Sequence, residues 1–171
     1  MTTQKNMFDP KFIDPFAQAT KVTLETQIGF PTELLKPYVK APQIKLQDVD
    51  IAGLINLTSP HFKGVIAVCF STATFLNIYE KMLGERHKEI TNDVKDAAGE
   101  IINIIFGQAK QTIAQKFGIS LGMVIPTVLV GSNMEVVFKS DLPTIILPFK
   151  TDGGEFHLEI IVDSSSVAVA A

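Results

Sequence analysis

The chain has 171 residues, 46% of them hydrophobic, with a formal charge of −3, which suits one domain with a continuous core. No dense Lys/Arg cluster offsets that charge, which argues against a protein held mainly by nucleic-acid phosphates. No apolar run approaches the roughly 20 residues needed to span a bilayer, and Met1 to Phe8 lack the apolar core of a signal peptide, so we expect a cytoplasmic protein without membrane insertion.

Two Asp-Pro pairs, Asp9-Pro10 and Asp14-Pro15, each offer an N-cap followed by proline at the first helical position. A helix beginning at one of them runs through Phe16, Thr20, Thr23 and Leu24 to a stop at Gly29. Pro31, Pro37 and Pro42 then predict an irregular connection over residues 30 to 43.

Two β-rich runs follow, Asp48 to Thr58 and His61 to Phe70, with Ser59-Pro60 as the turn between them. The second is apolar on both faces, which predicts a strand covered by helices on one side and by a loop or partner on the other. It carries Cys69, the one cysteine of the chain, expected as a buried structural thiol rather than a nucleophile. Ser71 can cap a short helix through Phe75, Ile78, Tyr79 and Met82 that ends at Gly84.

Glu85 to Glu89 form an exposed loop, after which Thr91 or Asn92 caps a helix of some 25 residues, about 37 Å long, ending at Phe117-Gly118. Beyond it Met123 to Val130, Asn133 to Phe138, Thr144 to Lys150 and Glu155 to Val162 read as strands. The last two are joined by Asp152-Gly153, a strong hairpin signal, and Ser164 to Ala171 form a frayed tail. The order describes an α+β domain, with a mainly antiparallel sheet of about five to six strands packed with two long helices and one shorter helix. The domain spans residues 1–171, its core about 12–162.

The long helix carries the most informative pattern. Val94, Ala98, Ile101, Ile102, Ile105, Ala109 and Ile113 form an apolar stripe with the spacing of a core-facing helix. On the opposite side Asp96, Glu100 and Asn103 fall in one line, with Gly107 a turn further on. A solvated polar face is the ordinary reading of such a line. Against it, Asn is a mediocre helix former, and Gly costs about 1 kcal/mol relative to Ala in a helix interior while letting a partner approach closely. Asp14, Gln18 and Lys21 echo the spacing on the first helix with two different side chains, consistent with an inactive duplicate if the two helices are related by a rotation.

Other chemistry is poorly represented. His61, His87 and His157 are scattered without paired metal-ligand spacing, so we expect no metal site in this chain. Ser71, Ser120 and Ser132 lack a nucleophile-elbow context, and no glycine-rich phosphate loop precedes a helix.

With Asp96, Glu100 and Asn103 as an acidic residue, then Glu four later, then Asn three later, the chain resembles the CheC/CheX/FliY family of chemotaxis phosphatases, and most closely its CheX branch. The order of helix, paired strands, helix pair and terminal strands is similar to that family from Phe12 to Val162, and Phe12-Ile13-Asp14-Pro15-Phe16 looks like a CheX-type opening. Gln18 and Lys21 leave no second signature of the CheC kind, and there is no C-terminal extension of the FliY kind.

The resemblance implies a phosphorylated CheY-like receiver as substrate and partner. Asn103 would orient the attacking water and Glu100 would pair with the receiver's active-site Lys. Asp96 and Gly107 would contact the receiver. It further implies Mg²⁺ on the receiver, no cofactor in this chain, and a homodimer joined through β-structure. Two other readings use the same features: a non-catalytic receiver-binding or dimeric adaptor, and a sheet-edge assembly protein suggested by Val65 to Phe70.

Overall fold

Proline at position 10 opens the first helix, α1 (Pro10–Thr23), where its missing N–H would be unpaired anyway. The structure, a computed structural model, describes residues 10–41, 44–46, 48–60, 63–138 and 141–163, without the side chains of 10–12 and 163. The readings made for residues 1–9, for Pro42, for the strand start at His61 and for the tail lie outside the described residues. Pro15, the second candidate start, sits within α1. A π-helical turn, Leu24–Ile28, extends the helix to Gly29. There the backbone turns left-handed at φ 89°, and the N–H groups of Gly29 and Phe30 both donate to the Leu24 carbonyl, at 2.9 and 3.0 Å.

The other two helices begin and end on the predicted caps. Ser71 Oγ accepts from the Thr74 N–H to start α2 (Thr72–Leu83), and Gly84 closes it at φ 75°. Thr91 Oγ1 accepts from the Val94 N–H to start α3 (Asn92–Phe117), which Gly118 ends at φ 66°. Each glycine supplies the left-handed conformation that a C-terminal cap requires.

Among the described residues, seven antiparallel strands make one sheet: β1 (Thr32–Leu34), β2 (Tyr38–Lys40), β3 (Ile51–Thr58), β4 (Lys63–Phe70), β5 (Thr127–Val130), β6 (Thr144–Thr151) and β7 (Gly154–Asp163). The order is β1-β6-β7-β4-β3-β5, with β2 also on β6. The α+β class and the β6–β7 hairpin are as expected. Residues 30 to 43, read as a connection, instead supply β1 and β2, two three-residue strands that share one side of β6. Pro37 between them is tolerated because proline is confined to sheet margins, and three residues are too few to display a period of two.

Two other segments differ from expectation. Residues 133–138 are not a strand: Met134, Val136 and Phe138 lie across the sheet, packed on Val49, Ala52, Ala67 and Cys69. Their alternation reflects one face resting on the sheet rather than ladder pairing. Within Met123 to Val130 only the last four residues pair, with β3, and β3 itself begins at Ile51 rather than Asp48.

The helices cover one face of the sheet. Ile66, Val68 and Phe70 of β4 point into that main core with Phe149 and Phe156, whereas Ala67 and Cys69 point to the other face, beneath residues 134–138. The two-sided apolarity of β4 therefore comes from its central place, between β3 and β7, with a loop as its second cover. Exchanging β1 with β5, β3 with β6 and β4 with β7 gives the same six-strand path read from the other edge, β2 excepted, and α1 precedes β1 as α3 precedes β5, so α1 is the topological counterpart of α3.

Candidate functional site

The site begins with how α3 is held. Its buried residues are Val94, Ala97, Ala98, Ile101, Ile102, Ile105, Phe106, Ala109 and Ile113, the predicted stripe with Ala97 and Phe106 added. They pack on α1 and on the sheet. Gly53 on β3 fixes how closely α3 can settle, because a Cβ there would overlap the Ile102 side chain. Burial of several Ile side chains, each contributing roughly 1.5–3 kcal/mol, makes the opposite face of α3 a rigid platform.

On that platform Asp96, Glu100, Asn103 and Gly107 are all exposed. Residues three and four apart on a helix are surface neighbours, with Cβ atoms about 5–6 Å apart. Glu100 therefore stands beside both Asp96 and Asn103. Among the described residues none of these three side chains forms a hydrogen bond or ion pair within the chain. A Cβ at Gly107 would meet nothing within 4 Å, so no internal packing calls for glycine there.

A carboxylate and a carboxamide side by side on an open helix can bind a cation and orient a small polar molecule. They cannot enclose a substrate. The clefts beside Cys69 and His157, beside Thr72 and Arg86, and beside Lys40 and Phe138 are lined by other residues, and chemistry on this open stripe calls for a second macromolecule to complete the site. On α1, Asp14 and Gln18 are exposed and Lys21 is half-buried. The counterpart helix thus presents the echoed positions outward with neither the Glu nor the Asn.

The tertiary structure also assembles a group that sequence spacing missed. Cys69, His157 and Glu159 meet on the sheet face away from α3, their ligand atoms within 4.8 Å of one another. Cys69 and His157 are 88 positions apart in sequence and become neighbours only through β4–β7 register. The expectation that Cys69 is buried holds.

The fold is that of an α+β domain of the CheC-like class. The structure of a CheC-like superfamily protein from Shewanella sp. PV-4 is 32% identical, with 91% of this chain and 99% of that one covered at a TM-score of 0.82. The chemotaxis protein CheX from Vibrio vulnificus is 29% identical, with 90% and 99% covered and a TM-score of 0.82. A CheX-CheY-BeF3-Mg²⁺ complex from Borrelia burgdorferi matches at 24% identity, covering 88% and 97%, with a TM-score of 0.73. Residues 51–150 match the family described as Chemotaxis phosphatase CheX. The chain belongs to the CheX family of chemotaxis phosphatases. No curated protein matches the sequence. Among the described residues no helix is long and apolar enough to cross a membrane.

Proposed function

We propose that this chain hydrolyses the aspartyl phosphate of a CheY-type receiver, with Asn103 positioning the attacking water and Glu100 anchoring the receiver's active-site lysine. The observation that carries this reading is the exposed, internally unpartnered Glu100–Asn103 pair on α3, a helix inside the segment matched to the phosphatase family. The CheX-CheY-BeF3-Mg²⁺ complex from Borrelia burgdorferi supports the choice of partner.

An aspartyl phosphate is an activated acyl phosphate, so the enzyme needs no strong nucleophile, only a correctly placed water. The water oxygen attacks phosphorus as the bond from phosphorus to the aspartyl oxygen breaks, and that electron pair leaves with the carboxylate. The water's protons pass to inorganic phosphate and solvent. The Asn103 carbonyl oxygen would accept a hydrogen bond from the water while its NH₂ donates to a phosphoryl oxygen. Glu100 would pair with the lysine ammonium in a charge-assisted contact that holds α3 in register. Asp96 would meet the receiver's rim, and Gly107 would let the receiver approach the helix backbone. Mg²⁺ on the receiver supplies charge neutralisation when bound, so this chain requires no cofactor of its own.

The test is the decay of a phosphorylated CheY-type receiver in Mg²⁺, alone, with the protein, and with Asn103→Ala at matched folding. Acceleration by the wild type should fall on the order of 10²-fold in the variant, about 2.7 kcal/mol, with receiver binding unchanged. Absence of any acceleration by the wild type would make the α3 face a docking surface of a non-catalytic adaptor.

We also propose a homodimer. Among the described residues the strand β5 is a sheet edge bonded only to β3, and Met123 and Ile125 just before it are 93% and 89% exposed. A free edge with apolar residues beside it is a template for strand pairing with a second copy. Solution scattering should give twice the monomer mass; a monomer mass at every micromolar concentration would refute the dimer.

A further inference from the structure

The sheet face turned away from α3 carries a cluster that hydrolysis does not use. Cys69 on β4 and His157 on β7 are register partners, and Glu159 lies two residues beyond His157 on the same face. His157 Nε2 is 3.2 Å from Glu159 Oε1. Cys69 and Glu159 are each 1% exposed, and a buried carboxylate carries a large desolvation cost unless its oxygens are satisfied. Glu159 Oε2 has no hydrogen-bond partner among the described residues. The Lys40 ammonium stands 3.8 Å from it, close enough to balance charge and too far for a hydrogen bond.

Thiol, imidazole and carboxylate converge there, with one ligand atom from each within 4.8 Å of the others, the donor set that Zn²⁺ takes. A cleft of about 340 Å³ opens on Cys69 and His157, with Tyr38, Asp48 and Ser71 also in its lining. It offers an ion an entry path and room for a water as fourth ligand. Mg²⁺ and Ca²⁺ prefer all-oxygen sites and fit this set poorly.

We propose that Cys69, His157 and Glu159 bind a divalent transition-metal ion, Zn²⁺ foremost, in a three-residue site that pins β4 to β7 on the back of the sheet. Burial and the Glu159 charge hold the Cys69 thiol well above its ordinary pKa, with Lys40 acting in the opposite direction. The thiol is therefore protonated before the metal arrives, and its proton passes to solvent as the metal–sulfur bond forms. Lys40 balances Glu159 in the metal-free protein and is the cation the metal must outcompete. The site lies on the opposite face from Glu100 and Asn103, so it stands or falls independently of the phosphatase reading.

Co²⁺ titration of the metal-stripped full chain, with no receiver present, tests the site. The wild type should form a 1:1 complex with thiolate-to-Co²⁺ charge-transfer absorption, displaced by Zn²⁺, and Zn²⁺ should raise its melting temperature. Cys69→Ala should abolish the charge-transfer band, and Glu159→Gln, which keeps the side chain's shape, should weaken binding roughly 10-fold or more. Circular dichroism verifies that both variants are folded. The proposal is overturned if the wild type forms no 1:1 complex, or if the complex survives unchanged in both variants, as an ion held adventitiously elsewhere on the chain would.

Discussion

Two glycines have opposite surroundings. Gly53 is called for by the protein's own packing, because a Cβ there would overlap the buried Ile102 side chain, which would have to shift. Gly107 faces open space and gives up helix propensity without any internal return. Gly107→Ala should therefore raise unfolding stability by up to about 1 kcal/mol, read by denaturant titration. Gly107→Leu should remain folded yet weaken receiver binding on the order of 10-fold, as one badly fitted side chain at an interface costs about 1.4 kcal/mol. Receiver affinity equal to wild type in Gly107→Leu would remove Gly107 from the contact surface.

Between elements, Asp50 acts as a knot just ahead of β3. Its Oδ2 accepts from the Thr72 N–H at 2.8 Å and from the Thr72 hydroxyl at 2.9 Å, and its Oδ1 accepts from the Asn133 N–H at 2.8 Å. One carboxylate thereby ties the first turn of α2, where negative charge complements the helix dipole, to the segment that crosses the back of the sheet. Asn133 meets it with φ 47°, a left-handed conformation that Asn tolerates better than most residues.

The backbone N–H of Asn133, then that of Thr72, holds the Asp50 carboxyl below its ordinary value of 3.8. A depressed folded-state pKa means that this stabilisation is fully present above the unfolded value and is lost as pH falls through the folded one. Asp50→Asn should lower stability by roughly 1–2 kcal/mol near neutral pH. The difference in melting temperature between wild type and variant should shrink as pH drops below 3.8; a gap that stays constant through that range would show that the charge of Asp50 is not what ties the elements together.

Across the whole molecule, the strand path β1-β6-β7-β4-β3-β5 reads the same from either edge under the exchange of the two helix-and-strand halves, β2 excepted, and the two halves differ on their helix faces. The outer face of α3 has Glu100 and Asn103, while α1 has the exposed Gln18 and the half-buried Lys21 in the echoed positions. The sheet separates two regions of different chemistry, the α3 stripe on the helical face and the Cys69–His157–Glu159 cluster behind it. A central sheet buried on both faces holds each in place without contact between them.

Sequence alone determined the features that local physics controls. Caps at Ser71 and Thr91, stops at Gly84 and Gly118, and the Asp152-Gly153 hairpin each act within a few residues. The α3 stripe was legible for the same reason, since helical periodicity decides which side chains share a face. Tertiary structure alone decided the rest. The strands β1 and β2 exist because β6 has a free side for them. Residues 133–138 alternate like a strand but serve as a cover, and nothing local distinguishes pairing from packing. Cys69 faces His157 because of the register between β4 and β7, and a slip of one residue would turn those side chains to opposite faces. Register is set by contacts between residues far apart in the chain, and no short window of sequence contains them.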